Sequence, residues 1–180
     1  MPLSIRLGAA VLAALLISAC SSAPPRQAAS AAAERSIAAV RLDPAEALAD
    51  LNSYRAGLGL APVRLDPALT AMSRNQAGAM VAANQMSHDV KGSFLSRLAA
   101  AGVVTSEAGE NLGAGYRSLA EAMDGWLHSP EHDANLRLAR VTRFGIALAK
   151  DPTTQYGVYW AMVVAADPPP AGGGALMLAQ

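Results

Sequence analysis

The chain has 180 residues, a length typical of one domain, and 52% of them are apolar, which is enough to form a buried core. Its 14 basic residues balance 14 acidic ones, so the formal net charge at pH 7 is zero. Because this composition gives no basic stripe for phosphate groups and no acidic field for cationic partners, we do not expect the chain to bind nucleic acid.

The N-terminus is typical of an exported protein. Arg6 precedes an apolar run, Leu7 to Ile17, which predicts a secretory signal over residues 1–19. The run is too short to cross a bilayer of about 30 Å as a helix. It leads into Ile17-Ser18-Ala19-Cys20, which resembles the lipobox of bacterial lipoproteins. The only cysteine, Cys20, is therefore the predicted lipid attachment site, and the alternative is a spare thiol in a cleaved peptide.

Lipidation would anchor the mature chain, beginning at Cys20, to a membrane of the cell envelope. Ser21 directly after the cysteine resembles lipoproteins that are sorted to the outer membrane of a two-membrane cell. Residues 20–42 are mostly alanine, serine, proline and glutamine, and we expect a flexible tether there. Residues 168–180 begin with three prolines and contain three consecutive glycines, which predicts a disordered tail.

The folded domain is predicted over residues 43–167, and helix-start signals divide its first part. Each signal is an aspartate or a serine that can cap free amides, in three cases followed by proline. The signals are Asp43-Pro44, Asp66-Pro67, Ser93, Ser118 with Glu121 as a capping box, and Ser129-Pro130. The helix that starts at Asp66 is expected to run to about Met86. In the helix that follows Ser93, we expect Phe94, Leu95 and Leu98 to point inward.

Strand patterns lie late in the chain. Apolar residues alternate over 143–150 and again over 155–165, which predicts an antiparallel hairpin with its turn at 151–154. A third strand is expected near 108–113. Helices followed by a late group of strands indicate an α+β domain in which helices pack on a small antiparallel sheet.

Five segments, taken in order, resemble the CAP superfamily of cysteine-rich secretory, antigen 5 and pathogenesis-related proteins. They cover nearly all of the predicted domain. The segments are 51–56 with 59–62 and 65–69, Met86-Ser87-His88 with 92–94 and 97–98, Ala108-Gly109-Glu110-Asn111-Leu112, 126–132 with 135–136, and 144–147 with 159–164.

This resemblance implies an α-β-α sandwich with an open cleft, in which two histidines and acidic side chains converge and, in some members, hold a divalent metal. The matching positions are His88, Glu110 and His132. Imidazole nitrogens and a carboxylate oxygen are ligands that zinc accepts, and three protein ligands leave a position open. The second acidic ligand of the superfamily has no clear counterpart in this sequence. Glu131 and Asp89 are the two candidates for this position. A cation such as zinc is thus a possible cofactor.

Each of these residues also has a structural interpretation. His88 follows a long helix and could bond its last carbonyls. Glu110 could accept backbone amides and hold a loop, and His132 could simply lie in the first turn of a short helix. His128 and His132 are four residues apart, but Pro130 between them argues against one continuous helix, so we do not expect a helical metal pair.

Three functions remain open at this point. The first is a membrane-tethered module that binds a lipid, a cell-envelope component or a metal ion, as the resemblance implies. The second is a weak metal-dependent hydrolase in which His88 and His132 hold the ion and Glu110 ligates it or acts as general base. The third is a structural envelope protein without a ligand. A cysteine protease is excluded because Cys20 lies outside the domain.

Overall fold

A computed structural model describes residues 26–168 of the chain. The predicted signal, Cys20 and nearly all of the predicted tail lie outside these residues. None of the described helices combines the length and the apolar character needed to cross a membrane. In chain order the described elements are α1 (Ala31–Ala39), α2 (Pro44–Gly57), β1 (Arg64–Leu65), α3 (Pro67–Ala83), α4 (Phe94–Ala100), β2 (Ala108–Ala114), α5 (Leu119–Leu127), α6 (Pro130–Leu136), β3 (Arg143–Lys150) and β4 (Val158–Ala165).

The strands form one sheet in the order β1-β3-β4-β2. The predicted hairpin of β3 and β4 is confirmed, and β2 adds the predicted third antiparallel strand. The sheet is mixed, however, because β1 pairs in parallel with the start of β3 through Arg64 and Leu65. The three predicted strands are antiparallel, and the parallel β1 was not predicted because a strand of two residues is too short to show alternation in the sequence.

Helices cover both faces of the sheet, so the expected α-β-α sandwich is present. One face of β4 packs on α3 and α4 through residues such as Tyr159 and Val163. The opposite face, with Trp160 and Met162, packs against α2 and α5. The period-2 alternation of strand side chains produces this division. Gly145 of β3 lies so close to α3 that a Cβ there would be 2.3 Å from backbone atoms.

The predicted helix starts are confirmed by their caps. Asp43, Asp66, Ser93 and Ser118 each accept a hydrogen bond from a backbone amide of the first turn. Ser129 precedes α6 without a side-chain cap bond. Helix α3 ends at Ala83, before the expected Met86, because Asn84 adopts a left-handed conformation with φ of 49°.

The N-terminal part of the domain differs from expectation. The flexible tether predicted over 20–42 contains α1, which begins at the capping residue Ser30. Ile37 and Val40 are each only 4% exposed, and both belong to the core between the sheet and α2. Residues 31–40 are therefore part of the folded domain. Burial of two branched apolar side chains outweighs the low hydrophobicity of the alanine-rich segment around them.

The turn between β3 and β4 is longer than predicted, extending from residue 151 to residue 157. The buried Thr154 hydroxyl donates to the Asp151 carbonyl at 2.7 Å and accepts from the Gly157 amide at 3.1 Å. Gly157 has φ of 75°, and its α-carbon lies against the Ile37 side chain. This turn is thus packed under α1, and β4 starts only at Val158.

Candidate functional site

The predicted site residues meet at β2, the edge strand of the sheet. Successive residues of a strand point to opposite faces, so Glu110 points toward α4 while Asn111 points toward α6. His88 reaches Glu110 from the loop after α3, and His132 stands on α6 beside Asn111. The site therefore extends around the edge of the sheet, with one histidine from each helical layer.

Glu110 is the buried centre of the site, with its side chain 2% exposed. Its Oε2 accepts from Arg97 Nη1 at 2.7 Å, and its Oε1 accepts from Arg97 Nη2 at 2.8 Å and contacts His88 Nδ1 at 2.7 Å. Burial alone would raise the pKa of this carboxyl, but the hydrogen bonds from His88 and Arg97 and the nearby positive charge lower its pKa below the ordinary value. Glu110 is therefore an anion within a charge-assisted network.

Arg97 of α4 is a site residue that the sequence analysis did not assign. Its guanidinium also donates to the carbonyls of His88, at 3.0 Å, and Gly92, at 3.2 Å, so it ties the histidine loop to β2. Leu95, which was expected to point inward, is 76% exposed. A helix that packs Phe94 and Leu98 against the domain places position 97, not 95, on the same face, and this spacing could have identified Arg97.

His88 holds its ring at the surface of this network. The side chain is 50% exposed, while Nδ1 contacts the buried Glu110. The backbone carbonyl accepts from Gln76 Nε2 at 3.3 Å as well as from Arg97. The ring does not bond the last carbonyls of α3, as the structural interpretation proposed; it is oriented by a carboxylate that is itself held in place.

His132 lies in the first turn of α6, half-buried beside β2. Its carbonyl accepts from Asn111 Nδ2 at 3.0 Å, and Asn135 Nδ2 donates to Asn111 Oδ1 at 2.9 Å. Its Nδ1 is buried and has no hydrogen-bond partner among residues 26–168. Burial, and then the proximity of His88, lower the pKa of His132, while Glu131 acts in the opposite direction. His132 is thus favoured as a neutral imidazole.

The two candidates for a second acidic ligand lie outside this network. Glu131 is exposed, and its carboxylate accepts from the Ser129 hydroxyl at 3.3 Å. Asp89 is also exposed, and its backbone amide donates to the Ser87 hydroxyl at 3.1 Å. Neither carboxylate bonds to His88 or His132 in the part of the chain that the structure describes.

His128 is separate from the site as well. It caps the end of α5, and its ring Nδ1 is 2.9 Å from the Asp124 carbonyl oxygen. Because α5 ends at Leu127 and α6 begins at Pro130, His128 and His132 belong to different helices. The break in the helix that Pro130 predicts is therefore present.

The residues do not fit a three-ligand metal centre. Among residues 26–168, no three histidine, cysteine, aspartate or glutamate side chains are grouped so that they could hold a metal ion. Both oxygens of Glu110 are already occupied by Arg97 and His88. A cation at Glu110 would have to displace the guanidinium that neutralises it. We therefore assign no chemical step to a metal.

The sandwich, together with a histidine and glutamate site at the edge of its sheet, defines the chain as a CAP-type domain. A sequence model of the CAP family, described as the cysteine-rich secretory protein family, matches residues 48–164. The chain belongs to this family. A comparison with curated proteins gave no match.

Solved structures show the same fold. An extracellular protein with an SCP domain from Bacillus anthracis matches with 23% identity and a TM-score of 0.60, over 68% of this chain and 39% of its own. An outer surface protein from Borrelia burgdorferi matches with 19% identity and a TM-score of 0.61, over 70% and 96% of the two chains. A cysteine-rich secretory protein from Staphylococcus aureus matches with 16% identity and a TM-score of 0.55, over 68% of this chain and 38% of its own. The chain thus spans well under half of the Bacillus and Staphylococcus proteins.

Proposed function

We propose that this protein is a binding module of the cell envelope, tethered to a membrane through a lipid on Cys20, and that its site at His88 and His132 binds a polar envelope component. One observation carries the proposal: the buried Arg97 and Glu110 pair orients the His88 ring while half of that side chain stays exposed. A ring held in place and open to solvent is preorganised to bond a ligand, since less side-chain freedom is lost on binding.

The chemistry of the site favours a ligand that carries hydroxyl or amide groups. The groups that converge at β2 are imidazoles, a guanidinium, a carboxylate and the carboxamides of Asn111 and Asn135. The unpartnered Nδ1 of His132 is a further group that a polar ligand could satisfy if a small movement exposed it. An acyl chain, by contrast, would gain little from contact with such a polar surface.

The envelope location is supported by the sequence and by the relatives. The apolar run before Cys20 predicts export and lipidation. The matched solved structures include an extracellular protein and an outer surface protein. These names describe the relatives, and for this chain they support a location on the outer side of a membrane.

The test uses the full chain with Cys20→Ser, so that a lipid does not itself cause sedimentation. The chain is sedimented with purified cell-wall glycan and, separately, with vesicles of envelope lipids. We expect saturable binding to the glycan that His88→Ala and His132→Ala each reduce at least about tenfold. His128→Ala is the matched control, because this histidine is exposed and lies outside the site.

The same variants separate this proposal from the two alternatives. If the network only stabilises the fold, His88→Ala lowers the melting temperature and glycan binding stays absent in every variant. The metal-dependent hydrolase requires zinc binding that Glu110→Gln abolishes, which a calorimetric titration of the full chain measures directly. Because Glu110 is already engaged by Arg97, we expect no saturable zinc binding at this position.

A further inference from the structure

The backbone groups at the two outer edges of the sheet differ in how far they are hydrogen-bonded. On β2, the carbonyls of Glu110 and Leu112 point away from β4, and each is bonded by a side chain. Asn135 Nδ2 donates to the Glu110 carbonyl at 3.1 Å, and Trp126 Nε1 donates to the Leu112 carbonyl at 2.9 Å. The β2 edge is thereby covered, as is usual for an edge strand in a soluble domain.

The outer edge of β3 is covered only at its beginning. The short β1 pairs with Arg143 and Phe144, and the Asp66 amide donates to the Phe144 carbonyl at 2.8 Å. Beyond that point no described strand lies on the outer side of β3.

The register of the hairpin shows which backbone groups of β3 do not bond to β4. The Asp151 amide donates to the Gly157 carbonyl at 2.9 Å, and in an antiparallel ladder the hydrogen-bonded pairs alternate with non-bonded ones. The amides and carbonyls of Ile146 and Leu148 therefore point away from β4, and of these two residues only Leu148 is partly exposed. Within residues 26–168, no side chain or loop backbone bonds to them there.

A groove of about 330 Å³ runs along this open edge. One side of the groove is formed by α3. The other side is formed by residues 40–44, which connect α1 to the start of α2. Apolar side chains form part of the base of the groove, with Ile146 buried and Leu148 and Leu42 half-buried. An extended chain is the shape that fits between two layers beside a strand edge, because it can pair with the edge while its side chains face both layers.

Three basic side chains lie along the groove. It is lined by Arg41, Arg74 and Lys150, and none of the three forms an ion pair with a carboxylate among residues 26–168. Lys150 Nζ donates to the Val40 carbonyl at 2.9 Å, and Arg41 donates to the same oxygen at 3.0 Å. Burial, and then the charge of Arg41, lower the pKa of Lys150, so the two cations lie close enough to repel. An anion in the groove would relieve this repulsion.

We propose that this groove binds an extended acidic peptide as an added strand beside β3, with backbone bonds to the partly exposed Leu148 and carboxylates near Arg41, Arg74 and Lys150. The charges argue against a second copy of the chain as the occupant. Pairing β3 with its own counterpart would bring the same three cations of each copy together, which disfavours that association.

The test uses the full chain, labelled with nitrogen-15, and a blocked hexapeptide of alternating valine and glutamate. We expect saturable shifts of the amide resonance of Leu148 and slower hydrogen exchange of this amide when the peptide is bound. The matched probe, with lysine in place of glutamate, should cause no such shifts. In the double variant Arg41→Glu with Arg74→Glu we expect affinity for the acidic peptide to fall about tenfold or more.

Folding of the double variant is checked by its unchanged circular dichroism, and binding of the lysine peptide to that variant is a second expected result. The proposal is overturned if the acidic peptide leaves the Leu148 amide unchanged, or if both peptides shift it equally. Self-association of the chain through this edge, seen by sedimentation and abolished by Arg74→Glu, would also overturn it.

Discussion

Arg97 and Glu110 form an ion pair whose two side chains are 9% and 2% exposed, and such a pair behaves differently from one at the surface. Both charges have lost most of their hydration, so each depends on the other for compensation. The bidentate geometry and the extra bond to His88 supply that compensation. The intact pair therefore adds little to net stability, whereas the removal of one partner alone leaves a buried charge without compensation and costs much more.

The first prediction concerns this asymmetry. Arg97→Met keeps much of the side-chain volume but leaves the Glu110 carboxylate buried without its cation, and we expect the free energy of unfolding to fall by about 3 kcal/mol. Urea denaturation measures the change. The control is Arg137→Met, which removes a partly exposed pair with Asp133 and should cost about 0.5 kcal/mol. Equal losses in the two variants would contradict the buried network.

A second prediction concerns the pH dependence that His132 introduces. Its pKa is lowered in the folded chain, mainly by burial, from the ordinary 6.5. Below pH 6.5 the unfolded chain therefore binds the proton more readily, and stability decreases as the pH falls through 6.5 toward the lower folded pKa. In His132→Asn the unfolding free energy should depend less steeply on pH in this interval.

Denaturation at several pH values from about 7 to about 5 provides the measurement for the His132 prediction. Glu110 adds a separate loss at lower pH, because its pKa lies below the ordinary 4.5 and its stabilising charge disappears as the pH falls through that lower value. An unchanged slope in His132→Asn would show that burial does not perturb this imidazole.

At the scale of elements, the contact of α3 with β3 depends on Gly145. A Cβ at this position would be 2.3 Å from the Leu69 carbonyl carbon and the Thr70 amide nitrogen, which are backbone atoms that cannot turn aside. We expect Gly145→Ala to move α3 and to cost about 2 kcal/mol of unfolding free energy, measured by urea denaturation.

Helix α3 offers a matched control for the Gly145 substitution. At Gly78, in the same helix, a new Cβ would meet nothing within 4 Å. Gly78→Ala should therefore stabilise the chain by about 0.5 to 1 kcal/mol, because alanine loses less backbone entropy in a helix. If neither substitution changed the unfolding free energy, that result would contradict the close contact between α3 and Gly145.

The elements differ in how far the sequence predicts them. Caps such as Asp43 and Asp66 act locally, so the helix starts could be placed from the sequence alone. The strand β1 and the helix α1 could not, because β1 is defined by its pairing with β3, and α1 by the burial of Ile37 against the turn at Gly157. Both depend on distant contacts that no local pattern contains.

The site shows the same division. His88, Glu110 and His132 were found through their motifs, and the structure brings His88 to Glu110 and places His132 beside the neighbouring Asn111. The partner of Glu110 was missed because an arginine in a short helix is usually solvated, although the helical spacing of Phe94, Arg97 and Leu98 places all three on one face of α4. The occupied carboxylate is the feature that changes the chemistry expected of the site.

At the scale of the whole molecule, the ordered contacts of Arg26 and Gln27 limit the reach of the proposed anchor. The Arg26 guanidinium contacts Asp151, and the Gln27 amide donates to the Thr153 carbonyl at 2.8 Å. Between Cys20 and Arg26 a fully extended chain covers roughly 20 Å. A lipid on Cys20 would therefore hold the end of the sandwich with the β3 and β4 turn close to the membrane.

The last prediction tests this orientation. The strands of the hairpin have eight residues each, so its two ends are roughly 25 Å apart. In the lipidated chain, where the lipid blocks the Cys20 thiol, a fluorophore is attached through Pro152→Cys at the turn or through Ala139→Cys beyond the opposite end. Vesicle lipids that carry a quencher should reduce the emission of the first label strongly and that of the second weakly.

The control for this orientation is the same pair of labelled chains with Cys20→Ser added, so that each has a single thiol and no anchor. Neither label should then be quenched, because without the lipid nothing in the proposal holds the turn at the membrane. Equal quenching of the two labels in the anchored chains would contradict the orientation. The short connection from Cys20 to Arg26 leaves an anchored domain little freedom to turn over, so the difference between the labels should persist at every vesicle concentration.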